Sequence, residues 1–171
     1  MDDTAVNIIE LEAALAKFDH ARDDFMDAYA SAPDESLGYK PEGDDYTIGY
    51  LLPHVEYVLL RYTALLAQIR ETHWADITGQ FPVPPPTDIA VNRAEALASI
   101  ERAHDTLAGK LNELSTDEFN RKANVIYPDD PNPFPTSPAD IITWVTEHYY
   151  EHVAHVGQLV EGWRAEGLRT K

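Results

Sequence analysis

Apolar side chains recur every three to four residues in four separate stretches of the chain, and nowhere do apolar and polar residues alternate over a strand's length. The first stretch, residues 3 to 31, sets Ile8, Leu11, Leu15, Phe18, Phe25 and Tyr29 on one stripe, with Asp2, Asp3 or Thr4 as cap. The second starts at Thr47, ends near residue 72 and turns Leu51, Val55, Val58, Tyr62, Leu65 and Ile69 inward. The third, capped by Thr87 or Asp88, reaches about Leu114 and carries Leu97, Ile100, His104, Leu107, Leu111 and Leu114. Ser115 and Glu118 form a capping box for one short extra turn. The last stretch opens at Ser137-Pro138 with Asp140 in its first turn and closes at Gly167, a helix roughly 43 Å long. Between these lie polar, proline-rich connections, HWADITGQFPVPPPTD among them, in which no strand is expected. The pattern predicts an all-α fold, an antiparallel four-helix bundle with long crossover loops, as one domain spanning residues 1–171.

The last helix carries an unusual cargo on its inward stripe. His148, His152 and His155 fall within an arc of about 60° at ~100° per residue, on the face that also holds Ile141, Val145, Leu159 and Trp163. His54 lies at the edge of the second helix's stripe, beside Pro53, which leaves the Gly49 carbonyl without its helical donor and predicts a kink there. His104 also faces inward, and a lone histidine on an apolar stripe is more often a satisfied core residue than a ligand. Arg22 interrupts the first stripe. It either lays its stem on apolar neighbours and carries its charge to water or a carboxylate, or aims a guanidinium at an anionic substrate group. His20 falls off the stripe.

Composition narrows the chemistry. The chain has no cysteine, which removes disulfides, thiolate metal sites and cysteine nucleophiles and leaves histidine and carboxylate as ligands. A formal charge of −17 argues against binding nucleic acid or an anionic membrane through a bulk field. The acidic start, MDDTAVNIIE, has no basic n-region, and no apolar run approaches the roughly 20 residues that span a bilayer, so a cytoplasmic protein is expected.

Two metal templates fail on spacing. His148-Tyr-Tyr-Glu151-His152 matches an inverted zinc-peptidase string, but the short tail offers no distant further ligand. A di-iron bundle needs two Glu-x-x-His pairs, and Glu101 with His104 makes only one. What survives is a mononuclear site of His54, His148 and His152, suited to zinc, nickel or ferrous iron. The plain alternative is that all three are core histidines bonded to Tyr and Glu neighbours.

TIGYLLPHVEY in the second helix and EHYYEHVAHVGQLVEGW in the last resemble the DinB/YfiT-like superfamily of four-helix bacterial proteins. The resemblance implies a divalent metal held by one histidine of the second helix and an HxxxH pair of the last, here His54, His148 and His152. A Gly-Gln element, usually two residues beyond the last ligand, falls at Gly157-Gln158 and offers His155, paired with Glu151, as the alternative register. Implied activities are thiol-dependent transfer or isomerisation with a low-molecular-weight thiol, or hydrolysis. A small electrophilic substrate, Glu151 or else a tyrosine as the catalytic proton carrier, a homodimer and no nucleic-acid partner complete the expectation. Arg22, Arg61, Arg121 and Lys122 are the cations that could gather at the mouth of the site. The contrasting reading is a non-catalytic dimeric scaffold or binding protein with adventitious metal or none.

Overall fold

The computed structural model describes residues 3–81, 84–128 and 130–169, the side chains of residues 3–9 and 168–169 excepted. The expected caps of the first helix and the side chain of Ile8 therefore lie outside the described residues. The chain is mostly helical: α1 (Asp3–Ala30), α2 (Ile48–Glu71), α3 (Arg93–Asn112), the short α4 (Thr116–Phe119) and α5 (Pro138–Arg169). Three strands, β1 (Ile77–Thr78), β2 (Ala123–Tyr127) and β3 (Asp130–Thr136), form a small sheet in the order β1-β2-β3.

The long helices form because each has an apolar face to bury. From α1, Phe18, Phe25 and Tyr29 are fully buried, and α5 meets them with Tyr149, which tilts against Phe18 and Phe25 at 5.8 and 5.4 Å. Burying an aromatic of this size stabilises by about 1.5–3 kcal/mol. The stripe on α5 is wider than its period suggests. Ile141, Val145, His152 and Leu159 are buried as expected, but so are Ile142, Tyr149, Val156 and Val160 on the neighbouring face. The reason is that α5 packs against both α1 and α2. By the same logic α2, wedged between α3 and α5, buries Leu52, Leu59 and Leu66 beyond its expected positions.

Pro53 does not break α2. The Gly49 carbonyl it leaves free accepts the Ala90 N–H at 3.0 Å, while the Gly49 N–H donates to the Leu37 carbonyl at 2.7 Å. Only glycine permits this approach, since a Cβ there would lie 2.9 Å from the Leu37 oxygen and 3.0 Å from that of Ala90. The same contact corrects the start of α3. With Ala90 committed to α2, residues 84 to 92 stay irregular, and the cap is Asn92, whose side chain accepts from the Glu95 N–H at 3.1 Å, instead of Thr87 or Asp88. Arg93 then donates to the carbonyls of Tyr29, Ala30 and Ala32 at and just beyond the end of α1.

The strand-free connections are the main correction. β1 pairs in parallel with β2 (Ile77 opposite Val125), and β2 pairs antiparallel with β3 (Val125 opposite Phe134). Prolines 131, 133 and 135 hid β3 from the periodicity, yet they are tolerated because β3 is an edge strand that need not donate on both sides. At the other end, α5 continues through Gly167 to Arg169 and is not stopped there. Its start matches expectation: Ser137 Oγ accepts from the Asp140 N–H at 3.2 Å, and Asp140 accepts from the Ser137 N–H at 2.8 Å.

Candidate metal centre

His54 on α2 and His148 and His152 on α5 meet where these two helices cross the interior. Tyr62 of α2 lies 5.9 Å from Trp144 of α5, and His54 lies 5.0 and 5.1 Å from His148 and His152 by ring centroids. Advancing along α2 therefore retreats along α5, and the two helices run in opposite directions. The i, i+4 spacing of His148 and His152 brings their rings together edge to face one turn apart, with centroids 4.3 Å apart and Nε2 atoms 3.2 Å apart. One ring nitrogen from each of the three residues lies within 4.8 Å of the others.

That spacing suits a shared cation. Ligands about 2.0–2.1 Å from a tetrahedral ion stand roughly 3.4 Å from one another, close to the His148–His152 separation. Hydrogen-bond accounting points the same way. His152 is buried and its Nδ1 has no partner, and His54 makes no hydrogen bond among the described residues. A cation would take up the lone pair of His54, which no N–H of the described residues meets, and the Nε2 lone pair that His152 turns toward His148, with the His152 ring proton then on Nδ1. The rings are also in the right protonation state. Burial holds His54 down to about 4, with the His148 charge adding to the effect, and burial alone holds His148 down to about 4. For His152, burial followed by the neighbouring imidazoles brings the value to about 3. Near neutral pH all three are neutral donors, as ligation requires.

Around the cluster the structure supplies an outer layer. His148 Nδ1 lies 3.7 Å from Glu151 Oε2, and that carboxylate is largely exposed. His155 stands one turn further along α5, and its Nε2 bonds to Asp44 Oδ2 at 2.8 Å, the main reason the Asp44 carboxyl sits below its ordinary range. His155 is thus engaged with the loop before α2 and lies outside the group of three converging nitrogens. Tyr46 from the same loop reaches in, with its ring 5.6 Å from His54 and 6.5 Å from His152. Asp44 holds that loop by also accepting the Tyr46 N–H at 2.9 Å, after a turn through Gly43 at φ 86°. Neither Tyr46 nor Asp44 was singled out by sequence, since no periodic pattern marks a loop that packs on helices over 100 residues away.

The remaining candidates separate. His104 is fully buried, bonds Asp19 Oδ1 at 2.9 Å through Nε2 and lies 3.4 Å from the Tyr149 hydroxyl, which makes it a satisfied core histidine. Arg22 carries its charge to Asp23 and Asp105, and His20 is exposed beside Asp24. Arg121 lies over the Trp74 ring, and Lys122 pairs loosely with Asp140. Arg61 alone of the four candidate cations lines the cleft of about 360 Å³ that His148 and Glu151 share with Val58, Tyr62, Trp144 and Glu147. Among the described residues no helix is long and apolar enough to cross a membrane.

No curated protein matches the chain. The fold is similar to that in the crystal structure of the mycothiol-dependent maleylpyruvate isomerase, with a TM-score of 0.63 and 14% identity, covering 86% of this chain. The chain spans 60% of that isomerase, and at this identity the likeness concerns the fold alone. The sequence profile of the DinB superfamily matches residues 17–156, a segment that holds α2, the histidine pair of α5 and every residue of the converging group, and the chain belongs to that superfamily.

Proposed function

We propose that this protein is a metal-dependent enzyme acting on a small electrophile, with thiol transfer or isomerisation as the leading class and hydrolysis as the next, and that His54, His148 and His152 hold its divalent ion. The observation that carries the reading is the convergence of three neutral imidazole nitrogens within 4.8 Å beside an open cleft. Zinc, nickel or ferrous iron would each suit three such donors. When bound, the ion would supply Lewis acidity for a substrate carbonyl or lower the pKa of a thiol or water.

The chain's own residues do the rest. Buried desolvated rings keep His54 and His152 unprotonated, and Glu151 favours the proton of His148 on Nδ1, leaving Nε2 free to donate its lone pair. Glu151, on the rim of the cleft, is also the acidic group best located to take up or return a proton. No cysteine is available, so the sulfur in a thiol reaction comes from a soluble cosubstrate. The similarity in fold to a thiol-dependent isomerase supports that class. We read the long helices as an antiparallel bundle forming one domain, in a cytoplasmic homodimer.

Elemental analysis of protein purified without a nickel column, together with a screen of low-molecular-weight thiols and hydrolysable substrates, tests the reading. We expect up to one divalent ion per chain and turnover that disappears in His152→Ala. Stoichiometric metal in a His148→Ala/His152→Ala double variant, or equal turnover in wild type and His152→Ala, would overturn it and favour the scaffold alternative.

A further inference from the structure

Arg61 stands apart from the other half-buried arginines. Arg22 is matched by Asp23 and Asp105, Arg70 by Glu113 and Arg93 by Asp34. Arg61 has no ion pair and no hydrogen bond among the described residues, and its Nε is buried without a partner. In a chain with 30 acidic and 13 basic residues an unmatched, partly desolvated guanidinium is unexpected, because carboxylates are abundant and the cost of leaving it unpaired is large. Its position is nonetheless held, since the guanidinium carbon lies 4.1 Å over the centre of the Phe81 ring. A cation–π contact of this kind gives none of the five N–H donors an oxygen acceptor, and none of them has one among the described residues. The carboxylates that share the cleft, Glu147 and Glu151, are both exposed and neither pairs with it.

We propose that Arg61 is the docking cation for a substrate carboxylate, whose apolar or conjugated body lies along Tyr62 and Trp144 and whose reacting end faces His148. A planar carboxylate matches the arginine fork through two parallel hydrogen bonds, whereas a neutral group of the same shape does not. Tyr62 and Trp144, 5.9 Å apart, give aromatic surface to the same cleft that Arg61 and His148 line. A cleft of about 360 Å³ suits a molecule of about a dozen heavy atoms. This rests on the proposed metal site only for which end of the substrate reacts. The carboxylate contact itself needs no metal.

The test uses the whole chain after chelation, so that a carboxylate cannot report metal coordination. Cinnamate and its neutral isostere cinnamamide are titrated by calorimetry, with the Arg61 Nε–H resonance followed by NMR. We expect cinnamate to bind at least tenfold more tightly than cinnamamide and to shift that resonance. Arg61→Gln should remove the preference, and Arg61→Lys should restore part of it. Equal binding of the two probes by wild type, or a preference that survives in Arg61→Gln, overturns the proposal, and the wild-type comparison decides even if a variant fails to fold. Loss of the preference with normal metal content in Arg61→Gln supports a role separate from the ion. A chain that binds no metal yet prefers cinnamate through Arg61 would sink the metal reading and leave this one standing.

Discussion

His104 and His152 are both buried histidines on inward helical faces, and they differ in what their nitrogens meet. His104 stacks on Phe18 with centroids 4.0 Å apart, donates from Nε2 to Asp19 and has the Tyr149 hydroxyl at Nδ1. Its neutral ring is fully used. Among the described residues His152 has an unpartnered Nδ1, and its only hydrogen-bond partner is another imidazole, His148. Burial pulls both pKa values down, so neither depth nor protonation tells them apart. The partner count does: a structural histidine is satisfied by the chain, and a ligand-like one waits for something outside it.

Truncating the two residues should separate these roles most sharply. His104→Ala opens a cavity beside Phe18 and strips a partner from Asp19 and Tyr149, for a loss of about 2–4 kcal/mol in denaturant unfolding with metal content unchanged. His152→Ala should cost the metal-free protein only about 1–2 kcal/mol, because the ring it removes was poorly satisfied. Metal loss in His104→Ala, or a greater destabilisation of the metal-free protein in His152→Ala, would erase the distinction.

Chelation is the next effect in size. An ion present at about 100 times its dissociation constant stabilises the native state by roughly 2.7 kcal/mol, or about 5–10 °C in melting temperature for a chain of this length. Differential scanning calorimetry should show that loss in wild type and in His104→Gln, and none in His54→Ala or His148→Ala.

The helical part of this comparison was legible in sequence because it is local. An i, i+4 pair on one stripe fixes the relation of His148 to His152, and apolar periodicity brings α2 to the same interior. The partners were not legible. Asp19 reaches His104 across 85 positions and Asp44 reaches His155 across 111, and no pattern in one chain encodes such pairs. The sheet escaped for a related reason: β1 has two residues, β3 is interrupted by prolines, and both exist by pairing with β2. The start of α3 was misjudged because Ala90 serves the carbonyl that Pro53 leaves free, a tertiary demand that overrides two good capping residues.

Acid should weaken the metal-free protein through the cluster. An unfolded histidine titrates near 6.5, whereas His54 and His148 titrate at about 4 and His152 at about 3 in the native state. Between about pH 6.5 and 4 the unfolded chain therefore binds more protons, so stability is complete above that window and falls as pH drops through it. Urea unfolding of chelated protein across the window should show this slope, and it should be shallower in His148→Ala/His152→Ala. An unchanged slope would mean that these rings are not held neutral by burial.

The smallest effect belongs to Glu151, a member of the site that faces water. Its carboxylate is 74% exposed and 3.7 Å from His148 Nδ1, so it favours a tautomer without a tight hydrogen bond. A carboxylate behind a ligand histidine is commonly worth 10- to 100-fold in metal affinity, and exposure places this one at the low end, below about tenfold. Glu151→Gln, measured by competition with a chelator, should show that loss at low salt and less of it at high salt. Turnover then divides the two roles that the position allows. If activity at saturating metal falls no further than affinity does, Glu151 only orients His148. A fall of about 100-fold at full metal occupancy would instead mark it as the group that carries a proton to or from the substrate, since an amide keeps the shape of the side chain and loses only its capacity to accept that proton.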